Sequence, residues 1–265
     1  MPERNERFPN GWQASCLVLA LFFAQMLVGA AVHDAQGVLS LTPSQSDVLV
    51  SVLGNGLLFV FIMHAKGLSY RELFHPSRTS ARATTALVVP AVLMLVPSLI
   101  LLVSALETVL VYAVPMSFSE QAMFERMSTD DLATALFACV VAPAVEEMLF
   151  RGVILRSFLL QYRRLPSILG SAALFGIAHL NIYQFLAALV LGTLLGWLYE
   201  RSRSLIPCIA LHACYNFGVT VVDWTAPQSQ ASFAVWSGSL LLGMLGATLL
   251  VRMLRAPSAP PPSRL

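Results

Sequence analysis

Apolar residues run along this chain in eight blocks separated by short polar stretches. They cover roughly 12–32, 48–65, 84–106, 131–155, 166–181, 184–199, 205–222 and 233–251. A bilayer-spanning helix takes about 17–25 apolar residues, so these blocks predict transmembrane helices, the fifth of them short. Pro90 and Pro97 fall inside the third block and predict a kink there. Gly192 and Gly196 form a GxxxG in the sixth, the spacing that lets a second helix approach closely. Phe118–Met127 has the composition of a short interfacial helix, a reading the sequence leaves open. The proline-rich stretch Ala256–Pro262 is expected to be extended and disordered. The fold class is therefore all-α: a polytopic transmembrane bundle of about eight helices.

Composition agrees. Hydrophobic residues make up 57% of the 265 positions and charged residues only 11%, against about 25% charged in soluble domains. The arrangement of charge adds an orientation. With the N-terminus placed in the cytoplasm, every loop lysine and arginine except Arg126 falls on the inner side, whereas Asp34, Asp47, Glu120, Glu125, Asp130, Asp131 and Asp223 fall outside. That asymmetry follows the positive-inside rule and puts both termini in the cytoplasm. Arg4 and Arg7 precede the first apolar block, but the block is longer than a signal-peptide core of roughly 7–15 residues, so it reads as a retained helix. Cys16, Cys139, Cys208 and Cys214 lie in apolar segments without a CxxC pair and read as small apolar residues. The fifteen arginines and one lysine form no long basic run, which leaves no case for nucleic-acid binding.

Ionisable residues inside a bilayer are rare and face a protein interior or a wet cavity. Here they are Glu146, Glu147, Arg151, His179 and His212, with Asn216 as the notable amide. Glu147 and Arg151 stand i, i+4 on the fourth helix with the glutamate N-terminal, the favourable order, and read as an ion pair. Glu146 points about 100° away at ideal helical geometry and has no partner on its own helix. Phe175 and His179 share a face of the fifth helix, and His212 and Asn216 share a face of the seventh. Counting 1.5 Å per residue puts Glu146 ~22 Å from Asp131 at the outer face, His179 ~20 Å from Pro166 at the inner face and His212 ~12 Å from Ser204. These depths leave Glu146 and His179 about 10 Å apart along the membrane normal.

If the three helices pack together, a carboxylate, two imidazoles and an amide meet away from bulk water. A carboxylate so placed is a stronger base than one in water and can activate a water molecule. Imidazole and amide N–H groups can stabilise an oxyanion. The set suits hydrolysis of an acyl bond, most plausibly a peptide. No serine or cysteine is placed as a nucleophile. Two alternatives stand beside this reading. Glu146, His179 and His212 could bind zinc, three protein ligands and a water being the usual catalytic set, although the spacing is not HExxH and Asn216 suits an oxyanion donor better than a zinc ligand. Otherwise no cofactor is expected. The polar cluster could also be structural, in a non-catalytic membrane immunity or transport protein; a transporter should show internal repeats, and none is convincing.

The motifs Glu146-Glu147-Met-Leu-Phe-Arg151, Phe175-Gly-Ile-Ala-His179 and His212-Ala-Cys-Tyr-Asn216 resemble the EExxxR, FxxxH and HxxxN/D motifs of the CPBP family. That family comprises CAAX prenyl proteases of the Rce1 type together with bacteriocin-processing and self-immunity (Abi) proteins. The resemblance covers about residues 130–222. It implies a glutamate-dependent intramembrane endopeptidase in which Glu146 activates water with the help of His179. His212 and Asn216 would stabilise the oxyanion, with Glu147, Arg151 and Phe175 as supporting residues. The implied partners are the lipid bilayer and a peptide or protein substrate, itself membrane-anchored in one version. The Arg-rich, Ala/Leu/Pro-biased composition suits a bacterial inner-membrane protein, for which precursor peptides or C-terminal sorting signals are as fitting as prenylated proteins. The expected organisation is a cytoplasmic segment 1–11, three helices and an outer loop over 12–130, a catalytic core over 131–222, a last helix within 223–255 and a cytoplasmic tail 256–265.

Overall fold

The computed structural model describes residues 7–67, 69–77, 79–127, 132–221 and 233–254. The expected proline-rich tail and the acidic positions Asp130, Asp131 and Asp223 lie outside them. Among the described residues the chain is all-α, without strands. Ten helices carry the fold: α1 (Gly11–Asp34), α2 (Pro43–Lys66), α3 (Ala81–Leu93), α4 (Val96–Ala113), α5 (Phe118–Met127), α6 (Leu132–Gln161), α7 (Arg164–Ile177), α8 (Ile182–Ser202), α9 (Ile206–Val221) and α10 (Phe233–Met253).

Six of these, α1, α2, α4, α6, α8 and α10, are each long and apolar enough to cross a membrane. The fifth and seventh expected spans appear as the shorter helices α7 and α9. The third expected span is two helices. Pro90 lies within α3 and Pro97 opens α4, and between them the chain tightens as Leu95 N–H donates to Val92 O at 3.0 Å. The kink read from the prolines is a full break at Met94–Leu95. The last helix packs into that break. A Cβ on Gly246 of α10 would stand 2.7 Å from the Ala91 carbonyl and 2.9 Å from Met94 Cβ, so only glycine admits this approach.

Short-range signals set most helix ends. Asn10 with Gln13, and Thr42 with Gln45, form capping boxes at the starts of α1 and α2. Gly67 closes α2 in the left-handed conformation at φ 61°. Asn181 caps α8 by accepting from Tyr183 N–H and Gln184 N–H. Phe118–Met127 is indeed a helix, α5, anchored to α8 by Phe124 packing edge-on to Tyr183, while the Tyr183 hydroxyl donates to Val114 O at 2.7 Å.

The opposite end of the bundle gathers the basic residues. Lys66, closing α2, donates to Phe8 O, and Gln161 and Tyr162, closing α6, bond Pro9 O and Gly11 N. The starts of α1 and the ends of α2 and α6 therefore share one end, with Arg71, Arg156, Arg163, Arg164, Arg201 and Arg203 in the segments around them. The core runs through the second half, where Phe150, Phe175, Leu195, Leu198 and Tyr199 are almost wholly buried. α1 and α2 pack chiefly against each other and leave many apolar side chains outward, as lipid-facing helices do.

Candidate active site

The first motif sits on a helix that is not uniformly α. Phe137–Val141 and Met148–Leu155 are wound as π-helix, on either side of the α-helical Ala142–Glu147. Pro143 explains part of this. Ala142 N–H reaches back five residues to Phe137 O rather than four to Ala138 O. The next residue in line to serve Ala138 O is Pro143, which has no N–H. Ala138 O is therefore free of a helical donor, and the Asn216 amide of α9 donates to it at 2.8 Å. A π-wound turn of this kind recurs at functional sites; here it docks α9 against α6. It also spends one of the two amide hydrogens of Asn216.

Beyond Pro143 the two glutamates diverge. Glu147 is fully buried and its Oε1 accepts from Arg151 Nη1 at 2.7 Å, the ion pair expected from the i, i+4 spacing. Arg151, also fully buried, donates from Nη2 to Gly192 O at 3.2 Å and stacks its guanidinium 4.6 Å over the Phe175 ring. Glu147 Oε1 takes a second partner as well: His212 Nδ1 lies 2.9 Å away. Glu146, whose side chain keeps 30% of its exposure, brings Oε2 to 3.6 Å from the other nitrogen of the same imidazole, His212 Nε2. The result is a chain of alternating groups, Arg151–Glu147–His212–Glu146, buried at one end and accessible at the other.

His179 occupies the turn after α7, with Nδ1 2.9 Å from Phe175 O. A carbonyl only accepts, so Nδ1 carries a hydrogen and donates it to Phe175 O. The Phe175 ring packs edge-on to both imidazoles, at 5.1 Å from His179 and 5.6 Å from His212. The three motifs do converge, with Phe175 at their centre. Among the described residues, however, the imidazole that faces Glu146 is His212, and no hydrogen bond joins His179 to either glutamate.

The GxxxG glycines hold the α7–α8 hairpin behind this cluster. A Cβ on Gly196 would stand 2.9 Å from Ile168 Cγ2; one on Gly192 would stand 3.1 Å from both Ala172 Cβ and Arg151 Nη2. Gly192 thus makes room for the guanidinium that its own carbonyl receives. Gly192→Val is expected to push Arg151 off Glu147 and to lower stability by about 1–3 kcal/mol, the usual range for overpacking. A melting curve in detergent checks the loss, and Gly56→Val, at a position with open space, serves as the neutral comparison.

Metal binding needs a different arrangement. No three His, Cys, Asp or Glu side chains among the described residues form a ligand set, and both nitrogens of His212 already face carboxylates. Glu146, His179 and His212 as placed do not fit a zinc centre, so no step is routed through a metal.

Comparison with known proteins bears on this segment directly. Residues 128–218 match the family model of type II CAAX prenyl endopeptidase Rce1-like proteins. The match indicates a membrane peptidase, and it takes in Glu146, Glu147, Arg151, Phe175, His179, His212 and Asn216. No curated protein and no solved structure matches the chain. Within the Rce1-like segment, sequence reasoning gave no sign of two features. One is the bond between Glu147 and His212, 65 residues apart. The other is the coupling of Asn216 to Ala138, for which Pro143 in the motif helix was the available signal.

Proposed function

We propose that this protein is an intramembrane endopeptidase that hydrolyses a peptide bond near the C-terminus or in the membrane-proximal part of its substrate. The observation that carries the reading is Glu146: a half-exposed carboxylate facing His212, whose other nitrogen is bound to the fully buried Glu147. A wholly structural ion-pair network would have no reason to leave one carboxylate open.

In this reading Glu146 is the general base. Water sits between its carboxylate and Nε2 of His179. Glu146 takes one proton, and the hydroxide attacks the scissile carbonyl carbon. His212 acts through Nε2 alone, since Nδ1–H is committed to Glu147. As an imidazolium it donates Nε2–H to the developing oxyanion, beside the unspent N–H of Asn216. Collapse of the tetrahedral intermediate breaks the C–N bond, and Glu146 returns its proton to the leaving amine. Glu147 and Arg151 are positioning residues. They fix the imidazole and neutralise one another, so that no net charge is added to the buried end. We place the protein in a bacterial inner membrane with both termini cytoplasmic, on the distribution of arginine.

The test is cleavage in liposomes. Three fluorogenic peptides of one sequence are compared: farnesylated on a cysteine near the C-terminus, anchored by an apolar helix, and soluble. Cleavage of a membrane-held peptide, absent for the soluble one and unchanged by chelator, is the expected result. Folded protein that cleaves none of them would instead support a structural role for the cluster, as in an immunity protein. Activity lost with chelator and restored by zinc would overturn the metal-free mechanism.

A further inference from the structure

Two apolar grooves adjoin on the surface made by α4, α7, α8 and α10. The first, about 560 Å³, lies between α4, α7 and α8, with Leu99, Ile168, Val190 and Leu194 among its walls and Arg164 at its foot. The second, about 460 Å³, lies between α4, α8 and α10, walled by Leu95, Leu240, Ala247 and Leu250 and ending at Val251. They share Leu99, Leu102, Leu194 and Trp197, so a single ridge divides them. Each runs from the basic end of the bundle toward its middle. The first follows α8 for about 10 Å from Trp197 to Val190, and the second follows α10 for about 17 Å from Val251 to Leu240.

The foot of the pair is cationic. Arg164 and Arg201 share one carboxylate oxygen, Glu200 Oε2, at 3.1 and 3.3 Å, so the trio carries a net positive charge. Arg163 adds an exposed cation next to it, and Arg252, also exposed, follows Val251 at the end of the second groove. Trp197 stands one turn before Arg201 on the dividing ridge, and its indole N–H makes no hydrogen bond among the described residues. Two parallel apolar channels that meet at an unspent donor and a cationic foot match one kind of ligand: a phosphate bearing two acyl chains. A soluble phosphate would leave the channels without purpose, and a lipid without net negative charge would leave the excess positive charge of the Arg164–Glu200–Arg201 trio uncompensated.

We propose that these paired grooves form a specific site for one anionic diacyl phospholipid, with a chain on either side of Trp197 and the phosphate at Arg164 and Arg252. Basic pockets between helices at the inner membrane surface are the usual setting for acidic headgroups. The site is separate from the catalytic cluster, and it stands whether or not the peptidase reading holds.

The experiment is native mass spectrometry of the full-length protein, delipidated and then offered equimolar phosphatidylglycerol and phosphatidylcholine of matched chains. The expected result is one retained phosphatidylglycerol, with the preference over phosphatidylcholine falling about tenfold or more in Arg164→Gln/Arg252→Gln, as loss of two surface cations implies. Leu194→Trp, which fills the ridge, should lose both lipids alike. Arg7→Gln, a cation elsewhere at the same end, should change nothing. Equal retention of the two lipids by the wild type would overturn the proposal even if a variant failed to fold. So would displacement by glycerol phosphate, which would make the site one for a free phosphate, or a dimer that excludes lipid, which would make the grooves a contact between two copies.

Discussion

Arg151→Leu is expected to destabilise the bundle by about 3–5 kcal/mol, the range for removing one partner of a buried ion pair. The guanidinium is fully buried, donates to Glu147 and to the Gly192 carbonyl, and stacks on Phe175. Leucine replaces its volume in part but leaves Glu147 buried with His212 as its one remaining partner. The cost comes from that under-compensated carboxylate more than from the lost bond, because one imidazole contact offsets less of a buried charge's desolvation than the guanidinium and imidazole together. The double variant Glu147→Leu/Arg151→Leu should therefore be more stable than Arg151→Leu alone, since it removes the under-compensated charge together with its cause. Denaturant titration in mixed micelles checks both. A single variant within about 1 kcal/mol of wild type would mean that the pair behaves like an exposed one, contrary to its complete burial.

Glu146→Gln should do the reverse: spare the fold and remove the activity. Glutamine has nearly the same shape and keeps a polar group toward His212, and the contact it inherits is a long one at 3.6 Å on a half-exposed side chain. Little stability rests on it. What glutamine cannot do is accept a proton. A general base contributes typically 10²–10⁴-fold, so the rate should fall by about that factor while the melting temperature stays near the wild-type value. Glu147→Gln should lower both, because Glu147 holds Arg151 and His212 at once. The contrast between adjacent glutamates separates a base from a positioning residue, which neither variant does alone.

Much of this was legible in the chain. Helical spacing alone paired Glu147 with Arg151 and left Glu146 without a partner on its own helix; the structure has that ion pair and turns Glu146 toward His212 of α9. Pro90 and Pro97 marked the place where the third apolar block breaks, and Gly192 and Gly196 marked a close helix approach. The depth count rests on a regularity that the helices lack. It assumed straight α-helices entering at the interface, whereas α6 carries two π-wound stretches and α7 ends at Ile177, leaving His179 in the turn beyond. Through Phe175 that turn reaches the same cluster as His212 and Glu146, which a count along separate helices cannot show. The Glu147–His212 bond was illegible for a similar reason. It depends on how α6 and α9 are rotated about their axes, and the Asn216–Ala138 bond is a second tie between the same two helices. Local pattern fixes which residues are polar on a helix. The partner of each is decided by packing between helices.

The central claim is that Glu146 activates the water that cleaves the peptide. The most direct measurement is the initial rate of cleavage of a membrane-anchored peptide by wild type and Glu146→Gln in the same liposomes, with melting curves taken on the same preparations. The account predicts matched melting temperatures and a rate lower by about 10²–10⁴-fold in the variant. Glu146→Gln that folds normally and cleaves at the wild-type rate would contradict it.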